Sequence, residues 1–282
     1  MNMSKKKKQD ILPDEIKANI YDEIEIIIDF HGITRIEIEK TQEKVKSILS
    51  PDYYSRREGE FSYDELSAYG ERNYISKTSL KRYHDTESVI RYYSKDETEI
   101  ITINKLFLSI KLNYEATHKL KGNILRMAQL ISLFAEEEYF EAEGLYLIKK
   151  DSIYCKSLYR LYQCYNKEMF ADASYLLKKM GKNILPESTS ICNKFRYGKY
   201  NVSIVKSVIK GHTSYEEEIY EGKMDTTVSY EVLEDQINVE DIINDLNDIS
   251  FQLFISHITE GFANDLIIGK TDKVKDGVNM NE

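Results

Sequence analysis

Six stretches of this chain read as β-strands, either as isoleucine-rich runs or as a two-residue alternation of apolar and polar side chains. They cover about residues 21–30, 87–93, 99–112, 140–150, 189–209 and 220–233. In the 99–112 run Ile101, Ile103, Leu106, Leu108 and Ile110 alternate with one slip at Lys105, the mark of a bulge. Between these runs, apolar residues recur at steps of three and four, as on one face of a helix. Ile38, Val45, Ile48 and Leu49 do so before Pro51; Ile124, Met127, Ala128, Ile131, Phe134 and Ala135 do so within 119–138. Leu158, Leu161, Tyr162, Tyr165, Met169 and Leu176 continue the pattern to a stop at Gly181. A chain that mixes strands and amphipathic helices in this way buries sheet faces under helices, which is the α+β class.

The first half runs strand, helix, strand, strand, helix, strand, the order of a ferredoxin-like split βαβ unit, and the second half repeats part of it. The expectation is two ferredoxin-like halves with antiparallel sheets, over 19–150 and 151–268. Residues 51–80 read as a long loop or partly ordered hairpin. Asn238 as N-cap and Asp241 at N3 open a final helix whose apolar stripe runs from Val239 through Phe254, Ile258 and Phe262 to Leu266. About 28 residues at 1.5 Å each give about 42 Å, enough to close the whole sheet. Phe254, Ile258 and Phe262 are expected to form an interface. A basic tail over 1–18, with Lys5–Lys8, and a polar tail over 269–282 are expected to be disordered.

Composition limits the function classes. Three prolines and 12 glycines in 282 residues exclude a long flexible linker. No apolar run approaches the roughly 20 residues of a membrane span, and the charged N-terminus lacks the apolar segment of a secretory signal. Cys155, Cys164 and Cys192 are odd in number and form no CxxC pair, as expected of free thiols in a cytoplasmic protein. No two of the five histidines stand three or four apart, so no helix face offers a histidine pair to a metal; no metal or cofactor is expected. Glu37 and Glu39 before Lys40 lack the lysine spacing of a triphosphate-binding strand, because Thr41 stands where that lysine belongs. Glu221-Gly222-Lys223 matches the short ExK element of a nuclease superfamily, with Asp225 close by. No phosphate-binding glycine loop or nucleophile elbow is present.

Charge is segregated. The formal net charge of -9 disfavours a protein that coats nucleic acid broadly. Yet eight basic residues and one acid lie between Lys178 and Lys210, and twelve acids with only Lys223 between Glu216 and Asp248. Pairing of the two blocks across adjacent strands would neutralise them. Alternatively, Phe195, Tyr197 and Tyr200 interleave with Lys194, Arg196 and Lys199, a pattern suited to phosphates and unpaired bases of RNA or single-stranded DNA. An acidic protein partner, or self-association of basic block with acidic block, is the remaining option.

Several landmarks resemble a sporadically distributed prokaryotic family of uncharacterised α+β proteins. They are the isoleucine-rich strand at residues 25–30, the Gly144-Leu145 pair, and Met224-Asp225-Thr226-Thr227. A helix bearing Phe254, Ile258, Thr259 and Glu260 completes the set. The resemblance implies a tandem α+β architecture, and its patchy distribution implies a context of host defence or mobile elements. The expected function is therefore a non-catalytic binding or assembly protein. An RNA-binding or RNA-processing protein using residues 194–200 is the alternative, and a metal-dependent nuclease through Glu221, Lys223 and Asp225 a third.

Overall fold

Isoleucine-rich alternation does produce strands, and all of them join one sheet. The computed structural model describes residues 8–52, 55–61, 87–166, 188–212, 218–231 and 238–269. The strands are β1 (Glu23–His31), β2 (Ser55–Phe61), β3 (Glu87–Tyr93), β4 (Glu99–Ile103) and β5 (Phe107–Asn113). They continue with β6 (Glu141–Cys155), β7 (Ser188–Tyr197), β8 (Tyr200–His212) and β9 (Glu218–Glu231). The order across the sheet is β2-β3-β4-β5-β1-β6-β9-β8-β7, and every pairing is antiparallel.

This corrects the expected pair of ferredoxin-like halves. A βαβ unit needs parallel strands joined by a crossover helix, and none of the described pairings is parallel. The expected boundary at 150/151 falls inside β6, which pairs with β1 on one side and β9 on the other. The strand continues through Lys149-Lys150-Asp151 because each charge finds a partner. Lys149 bonds Asn247, Lys150 bonds Glu23, and Asp151 accepts from Tyr165.

The helices are α1 (Arg35–Lys40), α2 (Gln42–Leu49), α3 (Leu120–Phe134), α4 (Leu158–Cys164), α5 (Val239–His257) and α6 (Glu260–Ile267). Alternation selects one sheet face for them. Ile24, Ile26, Ile28 and Phe30 of β1 join Leu108, Ile110 and Leu112 of β5 and Leu145 and Leu147 of β6 in one core. Met127 and Phe134 of α3 and Leu246 and Phe254 of α5 close on that layer. Each fully buried side chain of this size stabilises by about 1.5–3 kcal/mol. The opposite face carries the intervening residues, among them Glu23, Glu25 and Asp29 of β1.

The C-terminal helix is shorter than its stripe predicts. It stops at His257, and Ile258 adopts an extended conformation and bridges to Tyr165. Thr259 N–H donates to the Cys164 carbonyl at 2.8 Å, and the Thr259 side chain caps α6 by accepting from Phe262 N–H. The apolar period crosses the break because both helices face the same core. Phe254, Ile258 and Phe262 are 1%, 0% and 6% exposed, so they fill the chain's own core instead of an interface.

The expected disorder of 1–18 also needs correction from Lys8 onward. Ile11 is buried, and Lys8 Nζ donates to the Ile258 carbonyl. Residues 1–7 and 270–282 lie outside the described residues, as do most of the expected 51–80 loop, His84, Met169 and Leu176. Tyr165, expected within a helix, is extended. Among the described residues no helix is long and apolar enough to cross a membrane.

Candidate binding edge

The stretch expected as one strand over 189–209 is a hairpin. Gly198 takes φ of +58°, the left-handed region open to glycine at the first central position of a two-residue turn. The chain reverses there, so Tyr197 faces Tyr200 across the β7–β8 ladder. Lys194 and Arg196, opposite Ser203 and Asn201, lie on the face away from the helices. Phe195 and Tyr197 lie on the helix-side face, 43% and 62% exposed. Tyr200 belongs with Tyr197, not with Lys194 and Arg196 as continuous alternation predicts. It is buried, donates to Asp245 of α5, and packs 5.9 Å from the Tyr230 ring. Lys199 Nζ sits 5.3 and 5.0 Å from the Tyr200 and Tyr230 centroids. Tyr200 and Lys199 therefore fasten the turn to the body.

Among the described residues β7 ends the sheet and pairs only with β8. In a two-residue hairpin the pair flanking the turn exchanges both backbone hydrogen bonds, and the pattern alternates from there. Counting back from Tyr197–Tyr200, the N–H and C=O groups of Ser190, Cys192, Lys194 and Arg196 point away from β8. The side chains of residues 192–199 are exposed throughout. The result is a long open edge, basic on one face and aromatic on the other.

Charge segregation is partly resolved by the ladder. β8 pairs with β9, and Lys210 bonds Glu218 at 2.5 Å. β7 lies one strand further out. Among the described residues Lys194 and Arg196 make no salt bridge. Lys178, Lys179 and Lys182 lie outside the described residues.

Glu221, Lys223 and Asp225 share the helix-free face of β9, opposite Tyr154, Ser152 and Lys150 of β6. Lys223 stands 3.9 Å from Asp225. They border a row of charges: Glu23 accepts from Lys150 at 2.6 Å and from Lys111 at 2.5 Å. Burial acts to raise the Glu23 pKa, but the bonds from Lys111 and Lys150 outweigh it and hold the group below its usual range. Burial, then Glu23 beside it, pushes Glu25 up to about 7. Burial also raises Asp225, whose Oδ1 is enclosed without a hydrogen bond. Among the described residues no three His, Cys, Asp or Glu side chains gather to hold a metal. Gly222, the middle of the ExK triplet, faces the helices. A Cβ there would stand 2.8 Å from Leu161 and 2.9 Å from Tyr165, so the glycine seats α4 on the sheet.

The paired row Glu23–Lys111–Lys150 escapes sequence reasoning, because its members lie far apart in the chain and only the register unites them. The chain matches no protein-family model, and no curated protein resembles it closely enough in sequence to be recognised as a relative.

Proposed function

We propose that this is a non-catalytic binding or assembly protein and that β7 docks an extended, acidic segment of a protein partner. The observation that carries the reading is the open β7 edge, with its two unpaired cations on one face and two exposed aromatics on the other. Addition of a strand to such an edge satisfies the outward backbone groups, and alternate side chains then set specificity. A partner strand that alternates acidic and apolar residues would place its acids against Lys194 and Arg196 and its apolar residues against Phe195 and Tyr197. Charge complementarity of this kind favours a protein strand over a base-stacking polymer, since cations and aromatics lie on opposite faces of β7. Cys155 and Cys164, both buried and in no disulfide, suit a reducing cytoplasm. An accessory role in host defence or a mobile element accords with the family resemblance.

The test is binding of two labelled probes to the full chain at low salt: a peptide alternating Glu and Val, and single-stranded RNA of equal charge. Peptide binding that falls at least tenfold in Lys194→Glu/Arg196→Glu supports the reading. RNA binding without peptide binding transfers the edge to nucleic acid. Metal-stimulated cleavage lost in Glu221→Ala would establish the nuclease reading in its place.

A further inference from the structure

On the helix-covered side of the sheet, a cleft of about 730 Å³ opens between the segment before β1, the turn leading into α3, and α5. β1 and β6 form its floor through Ile24 and Lys149. Lys149 is only 3% exposed. Its ammonium donates to Asn247 Oδ1 at 2.6 Å and lies 4.8 Å from the centroid of the Tyr21 ring. No carboxylate among the described residues forms a salt bridge with it. An ammonium carries three donors, and neither the amide nor the ring face puts a carboxylate in contact with it. Beside it, the Tyr21 hydroxyl is enclosed and has no hydrogen-bond partner. Tyr21 and Lys149 are both lining residues of the cleft, and so are the apolar Ile16, Ile20, Ile124 and Phe251.

We propose that this cleft is a ligand site for a small organic carboxylate with an apolar body, and that Lys149 holds the carboxylate. Its volume falls in the range of ordinary small-molecule sites, and its makeup is that of one: apolar walls with a few converging polar groups. A carboxylate accepts only, which suits the ammonium and the neighbouring Asn244 and Asn247 amides. A single cation at the floor matches a monoanion better than a polyphosphate. No residue of β7 lines the cleft, so the inference stands apart from the proposed docking edge.

The linkage sign follows from the lysine. Burial pushes the Lys149 pKa down to about 7, against the opposing pull of Asp248 on α5. Facing the cleft from the N-terminal segment are Asp14, Lys17 and Tyr21; from the approach to α3 come Tyr114, Glu115 and His118, and from α3 itself Lys121. The flanking strand positions, Ile24 and Thr226, do not titrate. A carboxylate binds the charged ammonium, so affinity holds below about pH 7 and falls up to about tenfold per unit above it.

The test is calorimetric titration of the full chain with benzoate, octanoate and inorganic phosphate, at about pH 6 and about pH 8.5. The expected result is saturable binding of at least one carboxylate, at least tenfold weaker at the higher pH and lost in Lys149→Met. Methionine fills the same volume without a buried charge, and a wild-type measurement guards against misfolding of the variant. Limiting acetic anhydride near neutral pH should modify Lys149 ahead of the exposed lysines, and the bound carboxylate should protect it. No saturable carboxylate binding up to about 10 mM, ten times a millimolar Kd, would overturn the proposal. Unchanged binding by Lys149→Met, or tighter binding of phosphate, would overturn it equally.

Discussion

The two edges of the sheet carry similar charges and treat them in opposite ways. On β2, Arg56 bonds Glu39 and Glu58, each at 3.0 Å, while Arg57 bonds Glu97 and lies 4.3 Å over the Tyr93 ring. On β7, Lys194 and Arg196 have no acidic partner among the described residues. Each β2 pair is partly exposed and contributes about 0–1 kcal/mol to stability, yet the pairing also uses up the attraction an acidic partner would feel. The difference shows that an edge is defined by how its charges are spent within the chain as much as by its open backbone. At the centre of the sheet, Glu23 between Lys111 and Lys150 repeats the β2 solution.

The comparison can be broken most sharply by reversing charge at both edges. Lys194→Glu/Arg196→Glu should weaken an acidic strand about 30-fold, near 2 kcal/mol. Arg56→Glu/Arg57→Glu should leave its Kd within about twofold, measured in the same titration. Backbone substitution is next in size. Cys192→Pro removes an outward N–H and should weaken binding about tenfold with little loss of Tm. Asn193→Pro removes a ladder N–H and should cost about 1–3 kcal/mol in denaturant unfolding.

Two glycine variants separate the turn from the body. Gly222→Ala forces a Cβ against Leu161 and Tyr165 and should destabilise by about 1–3 kcal/mol. At Gly198 there is open space, so Gly198→Ala should cost only about 1 kcal/mol, from left-handed backbone strain. The smallest effect should be Arg57→Ala, about 0.5 kcal/mol, because its ion pair is exposed.

β1 was legible from its isoleucine content and β9 from its alternation, and the Asn238 cap of α5 from residue type alone. The 99–112 run, expected as one strand with a bulge at Lys105, is instead the antiparallel β4–β5 hairpin, its slip marking the turn. The hairpin was not read, although Gly198 stands in the middle of the basic run, because continuous β-propensity on both sides masked a two-residue turn. The break at Ile258 was hidden because the apolar period continues across it; Thr259 before Glu260 was the available signal. The single sheet was not legible, since strand order depends on long-range register. Lys149 was visible in principle: alternation from Leu145 and Leu147 places it on the helix side, where a lysine needs a reason to be.

The most direct measurement is amide hydrogen exchange along β7 in the full chain, with and without the alternating Glu–Val peptide. Without peptide, the amides of Ser190, Cys192, Lys194 and Arg196 should exchange fast and those of Ile191, Asn193, Phe195 and Tyr197 slowly. With peptide, the fast set should become protected while the β2 amides stay unchanged. Uniform exchange along β7, or peptide binding that leaves the outward amides fast, would contradict strand addition at this edge.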